Sequence, residues 1–366
     1  MKIAILTLPL NNNIGGILQA YALGHVLRCM GHEVVHIEKK ETHSVVYQSS
    51  YKFYSWWYTR RWIKQLLFRK RRLKEHHSNT YKLRKSTSAI RDFVSKHVPR
   101  KILKDWKDYR MEKFDCIVVG SDQIWRPVYY PYIEHAYLSF TTGDKSLRKI
   151  AYAASFGVDT WEYSEEQTKQ CAQLLRQFFA VSVREDGAVR LCKTYFDIDP
   201  DHLPDPTLLL TPEQYMKLVG VSDINKEQAQ VLVSYILDPT EDKTMAIDQI
   251  CQKKGYIHIA AKREIPSVEG WLKDFMKASF IFTDSFHGCV FSILFHKPFI
   301  AYGNNKRGLG RFTSLLKKFG LENRLVLKAS EVDTLKDEVI NWQAVDACLA
   351  KERNLATNFL QMALRE

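Results

Sequence analysis

Apolar residues along this chain fall into short continuous runs separated by longer amphipathic stretches and polar, glycine-bearing turns. Runs at 2–8, 33–38, 114–120, 150–155, 181–185, 230–237, 256–260, 280–282 and 299–301 have the composition of strands buried on both faces. Stretches at 17–30, 164–179, 243–254, 270–277, 286–294 and 331–364 predict helices, with another near Pro212 and a more polar one at 81–97. End signals support several of them: Ser164 precedes Glu165 and Glu166, and Gly31 closes 17–30. Strand and helix alternate throughout. That order implies an α/β protein of two doubly wound sheets with a cleft between them. The Pro-rich stretch 203–208 reads as the linker. It divides an N-terminal domain, 1–205, from a C-terminal one, 206–344, with a last helix at 345–366 expected to run back and complete the first.

The most informative unit is 280–305, a strand, a tight turn, an almost wholly apolar helix and a second strand. Thr283, Asp284 and Ser285 are helix-start residues, and His287 falls in the first helical turn, where free N–H groups would meet an anion. Gly288 behind it leaves room for a close approach. Downstream, Asn304, Asn305, Arg307 and Arg311 sit on a loop containing Gly303, Gly308 and Gly310. Two readings stand: an anion site built on His287 and the arginines, or a helix cap with a structural histidine. Other strand ends carry polar clusters too. Asn13-Ile14-Gly15-Gly16 follows the first strand but is not G-x-G-x-x-G, so it gives little support to a dinucleotide site. Ser121-Asp122-Gln123 and Arg184-Glu185 end two further runs. Arg184 either holds a ligand carboxylate or pairs with a neighbouring acid.

Composition adds limits. The 366 residues are 45% apolar and 26% charged, ordinary for globular domains and enough for two cores. Seven scattered cysteines with no C-x-x-C pair read as buried thiols in a reducing compartment, neither a disulfide framework nor a zinc site. No signal peptide or membrane-spanning run is evident, so a cytoplasmic protein is expected. The net charge of +13 is uneven: residues 60–85 hold eleven Lys or Arg against Glu75 alone. Tyr51, Phe53, Tyr54, Trp56, Trp57, Tyr58 and Trp62 lie beside them. This basic aromatic stretch, 51–85, within a helical insertion at about 45–105 of the first domain, suits the surface of an anionic membrane and a peripheral location. A solvated basic face is the alternative. Nucleic acid is not expected, because no nucleic-acid motif accompanies the charge.

The ordered signatures resemble the polysaccharide pyruvyl transferase family. They are Asn13-Ile14-Gly15-Gly16 with Leu18-Gln19-Ala20-Tyr21-Ala22-Leu23, then Val119-Gly120-Ser121-Asp122-Gln123-Ile124-Trp125 and Ser182-Val183-Arg184-Glu185. Asp205-Pro206-Thr207, Ser285-Phe286-His287-Gly288 and Arg311, ahead of Leu321-Glu322-Asn323-Arg324, complete the set. The stretch 51–85 has no counterpart. The resemblance implies a glycosyltransferase-B-like fold, two Rossmann-like domains facing a cleft. It also implies transfer of pyruvate from phosphoenolpyruvate, as a cyclic ketal, to two hydroxyls of a sugar in a glycan, here expected to be lipid-linked. None of the steps needs a metal or a redox cofactor, and phosphoenolpyruvate is the co-substrate.

On that resemblance His287 belongs to the donor site as general acid or phosphate ligand. A helix N-terminus would lower its pKa and a bound phosphate would raise it. Arg184 and Arg311 would clamp the donor anion, with Arg307, Ser285 and Gly288 beside them. Asn13, Gly15, Asp122 and Gln123 would face the acceptor, Asp122 taking a hydroxyl proton or else only capping a turn. A sugar-nucleotide glycosyltransferase of the same fold and a non-catalytic carbohydrate-binding protein are the rival readings.

Overall fold

The computed structural model describes residues 1–39, 88–130, 132–223, 230–261, 267–303, 308–334 and 339–365. The basic aromatic stretch 51–85 lies outside them, as do Asn304, Asn305 and Arg307.

The chain builds two parallel sheets. The first holds β1 (Lys2–Leu6), β2 (Glu33–Lys39), β3 (Arg100–Leu103), β4 (Cys116–Val119), β5 (Arg148–Ala154), β6 (Ala180–Val183) and β7 (Asp201–His202), in the order β3-β2-β1-β4-β5-β6-β7. The second holds β8 (Val231–Tyr235), β9 (Ile257–Ala260), β10 (Phe280–Thr283), β11 (Phe299–Tyr302) and β12 (Leu325–Val326), in the order β12-β11-β10-β8-β9. Ten helices accompany them among the described residues: α1 (Ile14–Cys29), α2 (Ser88–His97), α3 (Glu165–Leu175), α4 (Asp186–Leu191), α5 (Pro212–Val219), α6 (Glu241–Lys254), α7 (Val268–Lys277), α8 (Phe286–Leu294), α9 (Gly310–Phe319) and α10 (Trp342–Ala363). Helices on both faces bury the strands on both sides, which is why β4, β8 and β11 read as unbroken apolar runs.

Strand order reverses between β1 and β4 in the first sheet and between β8 and β10 in the second. Such switch points open a crevice at the carboxyl ends of the strands. Both are lined by residues discussed below.

Four local expectations change. Helix α1 begins at Ile14, three residues early, because the Asn13 side chain accepts from Gly16 N at 3.2 Å and draws both glycines into the first turn. Arg100–Leu103, expected inside the insertion, instead pairs with β2 as a charged, mostly exposed edge strand. The 203–208 linker joins the sheets but is buried: Leu203, Asp205, Thr207 and Leu208 are each at most 4% exposed. The glycine loop that was to carry Arg311 becomes helix α9, with Arg311 in its first turn.

Helix α10 ties the halves together. Val345 and Leu349 join the core around α8, whereas Ala356, Phe359, Leu360 and Ala363 pack with Ile3, Ile5 and Val118 of the first sheet. Arg353 donates to the carbonyls of Leu208 and Leu210 at 2.7 and 2.8 Å, fastening the connector beneath it. No helix among the described residues is long and apolar enough to cross a membrane.

One buried side chain sets a pH limit on this fold. His36 on β2 is 1% exposed, and neither ring nitrogen has a hydrogen-bond partner among the described residues. Burial, with Arg28 nearby, pulls its pKa down to about 4. The unfolded chain therefore binds more protons between the ordinary value near 6.5 and that lowered value. Stability from neutral His36 is complete above about pH 6.5 and falls as pH drops towards 4, by on the order of 3 kcal/mol. Urea titrations of wild type and His36→Phe at pH 7.5 and 4.5 measure this. The variant is expected to lose less stability on acidification than wild type, and an equal loss would acquit His36.

Candidate functional site

The first switch point is occupied by a buried polar network. Gln19, one turn into α1, donates to Thr7 Oγ1 and to the Gly16 carbonyl, both at 2.9 Å. Its Oε1 accepts from Ser121 N at 3.0 Å. Thr7, just beyond β1, stands near Asp122, just beyond β4, and lowers its carboxyl pKa. Two strand ends and a helix start are thus stitched by one fully buried amide.

The network continues into Asp205, which is 1% exposed. Its Oδ1 accepts from Thr207 N and Oγ1 at 3.0 and 2.6 Å. Its Oδ2 accepts from Arg184 Nη1 at 2.7 Å and from Ser121 Oγ at 3.4 Å. His287 Nε2, from the second sheet's side, lies 3.6 Å from the same Oδ2. Arg184 also stacks over the Phe286 ring at 4.5 Å, and Arg311 lies 5.8 Å from that ring's centre. Phe286 is therefore flanked by two cations. Between Arg184, Asp205 and Phe286 the void holds about 10 Å³, at most about one water.

Three titratable groups here share burial and part company through their neighbours. Burial pushes the Asp122 carboxyl up to about 6, and Thr7 and Arg184 only partly oppose it. For Asp205 burial pushes the same way, but His287, Arg184 and Thr207 together hold it well below the usual carboxylate range. Burial lowers His287, Asp205 works against that, and Arg184 and Arg311 reinforce it. The direction expected for His287 is found, with burial as its main cause. A carboxyl raised to about 6 and an imidazole lowered by burial, beside a carboxylate held ionised, can accept and deliver protons.

The second switch point is held by Asp284. Its carboxylate accepts from Leu237 N at 2.6 Å and Asp238 N at 3.0 Å, bridging the ends of β8 and β10, and meets Lys243 Nζ at 2.7 Å. This fixes the turn from which α8 starts and hence the position of His287.

The expected site residues separate into two groups. His287, Asp122, Arg184 and Arg311 do converge, and Ser285 starts α8 beside them. Arg184 lies against two acids, 2.7 Å from Asp205 and 3.7 Å from Glu185. Ser285 makes no side-chain cap; its N–H donates to Thr283 Oγ1 at 3.1 Å. Gly288 admits Thr283 rather than a ligand, since a Cβ there would sit 2.2 Å from Thr283 Oγ1. Asn13 caps α1, and Gly15 faces the His287 ring. Gln123 lies under the loop after β5, its Nε2 where a Cβ on Gly157 would be. That amide has no partner among the described residues.

Sequence reasoning missed Asp205, Thr7, Gln19 and Ser155 as members of the site. Ser155 donates to Glu185 Oε1 at 2.6 Å, and Gly157 N reaches the same atom at 3.0 Å. The available signal was position: each lies near a strand's carboxyl end or in a quoted signature. Asp205 reads only as part of the Pro-rich linker and of a quoted signature.

The family model for polysaccharide pyruvyl transferase matches residues 13–306. No curated protein matches the chain in sequence. Among solved structures, MnaA of S. aureus in complex with UDP is 9% identical with a TM-score of 0.54, over 100% of this chain and 97% of that one. UDP-N-acetylglucosamine 2-epimerase from Rickettsia bellii is also 9% identical, TM-score 0.53, over 100% and 96%. These likenesses establish the two-domain, glycosyltransferase-B-like α/β fold.

The Gly15–His287 contact supplies a test. A Cβ at Gly15 would lie 2.1 Å from His287 Nδ1. Alanine is otherwise the better helix residue, by about 1 kcal/mol. Gly15→Ala is therefore expected to displace His287 and lower kcat/KM at least about tenfold while leaving far-UV circular dichroism unchanged. Full activity would mean that His287 need not stand where it does.

Proposed function

The chain belongs to the polysaccharide pyruvyl transferase family, transferases of polysaccharide biosynthesis, and on that premise we propose that it moves the pyruvyl group of phosphoenolpyruvate onto two hydroxyls of a sugar in a lipid-linked glycan. The observation that carries the reading is the convergence of His287, Arg184 and Asp205, from both sheets and their connector, on one buried centre.

In this scheme Arg311 and the N-terminus of α8 take the donor phosphate. Arg184, engaged with Asp205 through Nη1 and 3.7 Å from Glu185 Oε2 through Nε, adds its charge. Arg307 lies outside the described residues and is kept as a further phosphate contact. His287, protonated as the donor's charge arrives, gives its proton to C3. The first sugar hydroxyl adds to C2 and passes its proton to Asp122. The C2–O bond to phosphate then breaks with both electrons going to phosphate, and the second hydroxyl closes the ketal with loss of its own proton. Asp205, kept anionic, orients His287 and stabilises its charged form.

Purified protein incubated with phosphoenolpyruvate and a lipid-linked glycan should release inorganic phosphate in step with a pyruvyl ketal on the sugar, seen by mass spectrometry and NMR. Turnover only with a nucleotide sugar would overturn the reading in favour of glycosyl transfer. His287→Ala should lower turnover by about 10²–10⁴-fold. Asp122 works only when ionised and His287 only when protonated, so kcat/KM should rise with pH through about 6 and fall again as the imidazole loses its proton, and Asp122→Asn should abolish the rising limb along with most activity.

We further propose that residues 51–85 hold the protein on anionic bilayers beside its acceptor. The support is their sequence, eleven Lys or Arg over 60–85 next to an aromatic cluster. Sedimentation with anionic vesicles should capture the protein at low salt and release it at high salt. Indifference to such vesicles at low salt would remove the membrane from the account.

A further inference from the structure

Beside Arg311, the loop after β4 and the loop after β5 form an exposed wall that the reaction scheme does not use. Tyr129 is 43% exposed and lies under the Arg126 guanidinium, 5.3 Å from its ring centre. That guanidinium is held by a two-point pair with Glu162, Nε and Nη2 each donating at 2.9 Å. Tyr129 N in turn donates to the Arg126 carbonyl at 2.9 Å, so the ring stands on a turn closed by a backbone bond. One residue before Glu162, Trp161 stacks on Tyr195 at 4.2 Å and 7°, and on Tyr163 at 4.5 Å and 17° on its other face. Its indole N–H donates to Thr168 Oγ1 at 2.9 Å, which fixes the plane, and Tyr195 is 41% exposed.

These contacts are continuous. Tyr195 leads to Trp161, Trp161 to Glu162, Glu162 to Arg126 and Arg126 to Tyr129. Asp159, two residues before Trp161, fills the space where a Cβ on Gly310, the residue before Arg311, would stand, so the wall ends at the cleft. A rigid alternation of flat aromatic faces with a planar charged fork is chemically specific. A pyranose ring offers an apolar face of C–H bonds and a rim of hydroxyls. The aromatic faces match the former, and the outer edges of the Arg126–Glu162 pair match the latter by charge-assisted hydrogen bonds. Rigidity matters here, because groups already locked by Glu162 and Thr168 lose little entropy when a sugar docks.

We propose that this wall is a glycan subsite, with Tyr129 as the platform for the sugar next to the reacting one and the exposed ring of Tyr195, backed by Trp161, receiving units further along the chain. The proposal rests on the reading of a glycan as acceptor and extends it. It makes the enzyme a reader of oligosaccharides, with the reacting sugar alone a poor acceptor.

A glycan array carrying mono- to hexasaccharides of hexoses and N-acetylhexosamines tests this without donor or turnover. Wild type should retain at least one oligosaccharide series while ignoring the matching monosaccharide. Titration of the best oligosaccharide, followed by tryptophan fluorescence, should give a Kd raised at least tenfold by Tyr129→Ala and little changed by Tyr129→Phe, which keeps the ring. Equal affinity for wild type and Tyr129→Ala overturns the subsite, as does failure to hold any oligosaccharide. The two readings fail separately. Ring-dependent binding without phosphate release from phosphoenolpyruvate would sink the donor chemistry and leave the subsite standing, whereas pyruvyl transfer indifferent to Tyr129 would do the reverse.

Discussion

A carboxylate with no access to water has to be paired, and the site is arranged around that necessity at Asp205. Removing one partner from a buried ion pair costs about 3–5 kcal/mol, because the remaining charge is stranded. Asp205 meets the demand with four donors from three parts of the chain: Arg184 after β6, Ser121 after β4, and both donors of Thr207 within the connector. The connector therefore cannot behave as a loose tether. Its carboxylate fixes where the first sheet ends, and Arg353 of α10 holds its carbonyls from the other side. Everything that faces the cleft inherits its position from this point.

The same constraint gives one burial three chemical outcomes. Asp205 ends ionised because cationic and hydroxyl donors surround it. Asp122, equally enclosed, is left with Thr7 and a more distant Arg184, so its carboxyl titrates near 6. His287 stays neutral on its own and is within reach of an anion that would stabilise its charged form. Asp205 therefore serves better as an orienting charge than as an acid, and the two groups poised to exchange protons sit on either side of it. A donor phosphate would shift that balance, since any added negative charge raises the imidazole.

Much of this was legible in the chain, and the part that was not has a common cause. Strands buried on both faces announce themselves as apolar runs, so β1, β4, β10 and β11 were placed to within a residue or two. The β10–α8 unit was equally plain, because a helix buried along its whole length carries no polar face to confuse the pattern. Asp205 was hidden because Asp between two prolines is ordinary turn chemistry, and only tertiary contacts reveal that it is buried. Arg311 was misplaced for a local reason: Gly308 and Gly310 mask the start of α9. Arg100–Leu103 shows three exposed positions out of four, which leaves an edge strand with no periodic signal. Local chemistry was readable from local sequence. What required the fold was knowing which polar residues had been taken out of water.

The contacts across the cleft are graded in strength, and the grading has mechanical meaning. Within the first half and its connector Asp205 is held at 2.6–3.4 Å, whereas His287 approaches from the other half only to 3.6 Å. Elsewhere the halves meet through one continuous apolar core, in which Ile14, Leu18 and Phe93 cluster with Trp271 and Phe291, through Asp186 and Ser314 at 3.0 and 3.1 Å, and through glycine surfaces, Gly15 on His287 and Gly308 on the Gly157 carbonyl. The Ser314 hydroxyl donates to the Asp186 carboxylate, and hydrogen bonds to charged groups are worth about 1.5–3 kcal/mol. If the halves parted at the cleft, the His287 contact would be lost while Arg184–Asp205, which lies within one half and its connector, stayed intact. His287 would gain water and lose its anion together, so its protonation is tied to how closely the two halves stand. The long contact thus ties the chemistry to the seating of the two halves, since it orients the imidazole only while they meet.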